Sequence, residues 1–201
     1  MHMRFAARTV GCLLWLASFG VQAQTAPDVL VKATVNEVLG VIQQSRDKNT
    51  LHKLAEQKVL PHFDFVAMTR LALGAHWRDA SEPQRKALEN AFRGLLVSTY
   101  ITALSQTANP NQTVEVRATQ VKPGQDDATV RTVVQDPSRP PISIDYRMAL
   151  RGGSWKVYDV VVENLSLVTN YRGSFASEIG RSGIDGLIKT IESKNRRIAE
   201  G

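Results

Sequence analysis

Cysteine is nearly absent: the only one in 201 residues is Cys12. It lies in a stretch that reads as a removable leader, so the folded protein has no disulfide framework, thiolate metal site or thiol nucleophile. Histidine is scarce as well. Beyond the leader only His52, His62 and His76 remain, and spacings of ten and fourteen match no short zinc motif. No G-x-S-x-G elbow and no glycine-rich phosphate loop occurs. No catalytic residue, metal or cofactor is therefore expected. Basic residues are not clustered among aromatics, which argues against nucleic acid. The longest apolar run, Val10 to Val21, is too short to cross ~30 Å of hydrocarbon.

That run has the makings of a signal peptide. Arg4 and Arg8 precede it, and Val21-Gln22-Ala23 offers a cleavage site. Residues 1–23 are expected to be removed on export, leaving 24–201 as one domain with ample length for a core. The two leader arginines are part of a formal net charge of +6, so the exported chain carries +4. This mild excess permits contact with anionic headgroups or acidic protein surfaces.

Helical patterns come first and strand patterns later, which predicts an α+β fold. Val31, Val35, Val38, Leu39 and Ile42 recur near helical spacing within 27–45. A second helix starts near Asn49 and stops before Pro61, and a third runs from an Asp64 cap to Gly74. Ser81-Glu82-Pro83-Gln84 is a capping box opening a long fourth helix that reaches about Thr107. From Leu95 to Leu104 that helix is apolar on all sides, as expected of one buried on several sides. Four strand-like runs follow, at 113–119, 128–135, 142–150 and 155–162. Gly152-Gly153 marks the hairpin between the last two. Helices over 166–179 and 184–197 complete a reading of four antiparallel strands and about six helices.

With Gly152-Gly153 as the loop, Leu150 faces Trp155, Met148 faces Val157, Tyr146 faces Asp159 and Ile144 faces Val161. Alternation then puts all eight on one broad apolar face. Asp159 is the polar exception. It reads either as a general base in an apolar pocket or as a structural carboxylate held by a neighbouring donor.

Several segments resemble the MlaC, or toluene-tolerance, family of periplasmic lipid carriers. They are Val59-Leu60-Pro61-His62-Phe63-Asp64-Phe65 with Leu71-Ala72-Leu73-Gly74, Trp77-Arg78, and Pro83-Gln84-Arg85 leading into Phe92-Arg93 and Tyr100. Pro140-Pro141-Ile142, Trp155-Lys156-Val157-Tyr158-Asp159, Glu163-Asn164-Leu165-Ser166-Leu167-Val168, Asn170-Tyr171-Arg172 and Gly183-Ile184-Asp185-Gly186-Leu187 follow in the same order. Asn164 stands where the family usually has glycine. Asparagine tolerates a left-handed backbone, so the turn is expected to survive. The resemblance implies a sheet curled against the helices with an apolar cavity between them. It implies a periplasmic, monomeric carrier moving glycerophospholipid between two membranes. The implied partners are MlaD of an inner-membrane ABC transporter and an outer-membrane MlaA–porin complex. A related branch makes a hopanoid or other lipid an alternative ligand.

Two acyl chains of about fifteen methylenes each cost on the order of 20–25 kcal/mol to expose to water. Hiding both needs on the order of 1,000 Å³, a void that a close-packed domain lacks. The expected walls are the hairpin face (Ile144, Tyr146, Met148, Val157, Val161) and the long helix (Phe92, Leu96, Tyr100, Leu104). Leu71, Leu165, Val168, Tyr171 and Phe175 are expected to close the remaining side. The headgroup is expected to stay in water. Two rivals remain open at this point: a cone-shaped enzyme using Asp159 as base, and a chaperone for unfolded outer-membrane proteins.

Overall fold

A computed structural model of the chain describes residues 25–200. The expected leader cleavage therefore falls outside the described residues. Helix α1 (Pro27–Gln44) begins with proline in its first turn, where the missing N–H removes no bond. Asp47 caps α2 (Lys48–Leu54) by accepting from the Thr50 N–H at 2.9 Å, so the helix starts ahead of the expected Asn49. A π-turn (Ala55–Val59) and a 3-10 turn (Leu60–His62) lead to α3 (Phe65–Leu73), capped by Asp64 through the Ala67 N–H. Gly74 ends α3 at φ 57, in the left-handed region open to glycine. The Arg172 guanidinium donates twice to the Leu71 carbonyl at that same helix end. Helix α4 (Glu82–Thr107) opens with the full capping box of Ser81 and Gln84.

The sheet has five strands in the order β1-β2-β3-β4-β5, all antiparallel. They are β1 (Thr113–Val116), β2 (Asp127–Asp136), β3 (Arg139–Arg151), β4 (Ser154–Val162) and β5 (Leu165–Ser166). This corrects the expectation of a curled four-stranded sheet. The fifth strand has two residues, too few to show alternation in a sequence, and its Ser166 falls at the start of the helix expected over 166–179. With edge strands of four and two residues, the sheet stays open. Glu163 and Asn164 make the β4–β5 turn at φ 47 and 66; Asn164 does adopt the left-handed backbone. Among the described residues the helix count is five rather than about six. The two segments expected after the sheet form one element, α5 (Arg172–Glu200), broken at Gly183 with φ 70 and ψ −178.

The hairpin register is as expected only near the loop. Leu150 pairs with Trp155 and Met148 with Val157, but a bulge then intervenes and Arg147 pairs with Asp159. Tyr158 is the extra residue on β4. Beyond it every partner shifts by one, so Tyr146 faces Val160 and Ile144 faces Val162. Asp159 and Val161 thereby move to the opposite face of the sheet, beside Arg147 and Asp145.

Buried side chains form three separate clusters rather than one. The first joins α3, α4 and α5 through Met68, Leu73, Leu88, Phe92, Leu95 and Leu187. The second joins α1 to the sheet through Val31, Val130, Met148, Trp155 and Val157. A small third cluster, Ile42, Leu51 and Ala108, ties the C-terminal ends of α1 and α4 together. The Arg46 guanidinium reinforces it by donating to the Ala108 carbonyl at 3.2 Å.

Candidate functional site: an apolar cavity under the first helix

Between these clusters lies a cavity of about 160 Å³. Helix α1 supplies one wall with Leu30, Val31, Val35, Val38, Leu39 and Ile42. The sheet supplies the facing wall with Val114, Tyr146, Met148 and Val157, while Val59, Phe63 and Leu104 close the sides. These positions follow from local rules. Residues 31, 35, 38, 39 and 42 share one face of a helix. Residues 146 and 148 share one face of a strand, and Met148 faces Val157 across the pair.

The only polar lining comes from Thr34, His62, Gln112 and Tyr146, with no lysine, arginine or carboxylate among the lining residues. Thr34 is already engaged, its hydroxyl donating to the Leu30 carbonyl at 3.0 Å. Burial pushes the Tyr146 hydroxyl up to about 12, with a hydrogen bond to Thr132 pulling the other way. That phenol stays neutral in this setting. Burial also holds His62 below its ordinary 6.5; the nearby Lys156 charge adds to the effect and Glu37 opposes it. At neutral pH the cavity therefore carries no net charge, and what it can do chemically is exclude water from an apolar guest.

Four of the residues expected from sequence meet here: Leu104, Tyr146, Met148 and Val157. Others gather elsewhere. Phe92, Leu96, Val168 and Phe175 are buried in the helical cluster, with Leu71 and Tyr171 packed against it. Phe92, Tyr171 and Phe175 form an aromatic trio with ring centroids 5.2 to 5.4 Å apart, the spacing of ordinary close packing. Ile144 is half-buried on the cavity-side face, outside the lining. Val161 lies on the outer face. Tyr100 and Leu165 are exposed at the surface. The wall that sequence reasoning missed is α1. Its apolar stripe was visible, but nothing in a stripe says whether it meets side chains or space.

Asp159 is fully buried, yet it does not face the cavity. Its carboxylate accepts from Arg147 Nη1 at 3.2 Å and from the Ser166 hydroxyl at 2.8 Å. Ser166 in turn accepts from the Thr169 N–H. This is a structural pin joining β3, β4 and β5, and it leaves Asp159 no route to a guest in the cavity. Among the described residues no cluster of acidic, histidine or cysteine side chains could hold a metal, and no helix is long and apolar enough to cross a membrane.

An α+β domain with an uncharged hollow between a helix and an open sheet defines a binding protein for an apolar guest. Comparison with known proteins agrees. The model of the MlaC protein family matches residues 32–193, and the chain belongs to that family of periplasmic lipid-binding proteins. It is 24% identical over 178 residues to the intermembrane phospholipid transport system binding protein MlaC of Haemophilus influenzae, covering 85% of this chain and 82% of the other. It is 27% identical over 200 residues to the toluene tolerance protein ttg2D of Pseudomonas putida, covering 94% and 90%. Among solved structures it resembles a phospholipid-binding protein from Ralstonia solanacearum in complex with a phospholipid. That likeness has a TM-score of 0.77 at 30% identity and covers 87% of this chain and 99% of the other. Family membership implies a periplasmic location and a role among the components of an Mla-like lipid-transport system.

Proposed function

We propose that this protein is a periplasmic carrier that hides the acyl tails of a glycerophospholipid between α1 and the sheet while the headgroup remains in water. The observation that carries this reading is the uncharged apolar lining, in a chain whose relative at TM-score 0.77 holds a phospholipid. No cationic side chain lines the cavity to clamp a phosphate, which favours a headgroup left outside. Export through cleavage after Ala23 completes the reading. So does docking to MlaD on the inner membrane and to an MlaA–porin complex on the outer one, with the monomer as the travelling form.

The volume sets a condition. A void of about 160 Å³ is the size that accepts a benzene-sized guest, far below the ~1,000 Å³ that two tails need. Loading therefore requires α1 to move off the sheet. Its buried anchors are few, Pro27, Val31 and Ile42. The Asp28 carboxylate accepting from Thr119 N–H at 3.2 Å and an exposed Glu37–Lys58 pair are among the polar ties. Tails entering the gap replace the contacts that α1 gives up, and burying each methylene returns ~0.8 kcal/mol.

The test is organic extraction of detergent-free protein followed by mass spectrometry, on wild type and on Val38→Glu. Glutamate is a better helix former than valine, so α1 is expected to survive. A carboxylate facing tails is costly, so the variant is expected to emerge folded and empty. Glycerophospholipid in the wild type and none in the folded variant is the expected pair of results. A wild type that carries no lipid, or a folded Val38→Glu that carries as much as wild type, overturns the proposal.

A further inference from the structure

A second hollow lies on the same side of the sheet. It is an open cleft of about 580 Å³ at the N-terminal end of α1, bordered by Pro27, Val121, Lys122, Asp126, Leu150 and Trp155. The two hollows follow each other along the same elements. On α1 the cavity has Leu30 and Val31 where the cleft has Pro27; on β3 it has Met148 where the cleft has Leu150; on β4 it has Val157 where the cleft has Trp155. What lies between them is the sheet cluster, in which Trp155 is the largest member, 4% exposed and packed with Val31, Ala128 and Met148.

The cavity has a direction. Gln112 and the side-wall residue Leu104 flank the end of α4, which Arg46 ties to the end of α1, while the other polar lining residues, Thr34, His62 and Tyr146, belong to α1, the turn before α3 and β3. At the opposite end the lining residues Leu30, Val31 and Met148 are apolar, and Trp155, which borders the cleft, packs in one buried cluster with Val31 and Met148. From Leu30 to Ile42 α1 rises about 18 Å. One leaflet of hydrocarbon is about 15 Å thick, half of a ~30 Å core. The length of α1 beside the hollow is therefore of the order of one tail's depth in a leaflet, so a tail admitted when α1 parts from the sheet runs along it with its methyl end towards the Trp155 side.

We propose that Trp155 is the stop that sets the longest acyl chain the protein accepts. Its ring borders the open cleft and packs with Val31 and Met148 of the cavity wall, so a tail that outgrows the apolar cavity meets the ring rather than running on over Leu150 and Val121. This inference rests on the phospholipid reading above and adds a determinant of selectivity to it. Each methylene forced out of the cavity forfeits ~0.8 kcal/mol, about a fourfold loss in loading, so a stop at the deep end produces a sharp limit.

The experiment loads the purified protein from vesicles of phosphatidylglycerol, in a series where both tails lengthen by steps of two methylenes, and quantifies bound lipid by mass spectrometry. Wild type is expected to show a length beyond which loading falls by about fourfold or more per added methylene. Trp155→Leu and Trp155→Ala open the partition and are expected to raise that limit by at least one step. Leu30→Trp, at a half-buried position on the same end wall, is expected to lower it; this variant decides the matter if the Trp155 replacements do not fold. Folded variants that load with the same limit as wild type overturn the stop while leaving the carrier intact. A wild type that loads no tail length at all overturns the carrier reading itself.

Discussion

Phe92 on α4 is fully buried and meets Tyr171 and Phe175 edge to face, while Val38 on α1 is half-buried and borders empty space. Both belong to apolar helix faces. The helical layer of α3, α4 and α5 is closed: aromatic rings interlock, Arg172 seals one helix end, and the Asn195 side chain donates to the Ala91 carbonyl at 2.8 Å. Gly94 sits where that same amide would be 2.9 Å from a Cβ, which shows how near α5 approaches α4. The interface of α1 with the sheet is closed only around the Val31, Met148 and Trp155 cluster; beside it lies a hollow whose mostly apolar side chains only partly meet. The difference teaches a division of labour. The closed layer supplies the stability, and that allows the other interface to remain unfilled and able to part. A single close-packed core would leave no room for a guest.

The sharpest way to break this comparison is to truncate one side chain in each region. Phe92→Ala removes a ring from the closed layer and is expected to cost about 3–5 kcal/mol, read from the urea midpoint. If it costs less than about 1 kcal/mol, the helical layer is not the stabilising half. Val35→Ala removes two methyls from a half-buried position already beside a void. It is expected to cost about 1 kcal/mol or less. A loss as large as that of Phe92→Ala would mean that the α1 interface is packed as tightly as the helical layer.

The same contrast explains how far the sequence could be read. Helix caps at Asp64 and Ser81, the Gly74 stop and the Gly152-Gly153 hairpin depend on a few adjacent residues, and each sits where the pattern predicts. The bulge at Tyr158 did not show, because one extra residue in a strand of apolar and aromatic side chains leaves the composition unchanged. Its consequence was large, since it carried Asp159 from the cavity face to the Arg147–Ser166 pin. The two-residue β5 was too short to display a period. The cavity wall was legible in part: Tyr146, Met148, Val157 and Leu104 do border the hollow. Phe92, Leu96, Val168 and Phe175 do not, because an apolar side chain reads the same whether a neighbour or a void lies against it. That distinction depends on which elements dock, a long-range property absent from local spacing.

The smallest expected effect concerns pH and separates the regions by charge rather than by packing. His62 borders the cavity, and burial, reinforced by Lys156, holds its imidazole below the ordinary 6.5 while Glu37 pulls the other way. The unfolded chain therefore binds a proton here more readily than the folded one does. Its contribution to stability is fully present above the ordinary value and is lost as pH falls through the lowered one. Wild-type stability is expected to decline gently as pH falls below the ordinary imidazole value of 6.5, and His62→Gln is expected to flatten that part of the curve. Phe92→Ala, remote from the imidazole, is expected to lower the whole curve without changing this slope. Acyl tails in the cavity make the surroundings of His62 drier, so lipid-loaded protein is expected to show the steeper decline. Urea titrations of empty and loaded protein across this range check the sign. An identical slope in wild type and His62→Gln would show that the imidazole stays as well solvated in the folded chain as in the unfolded one.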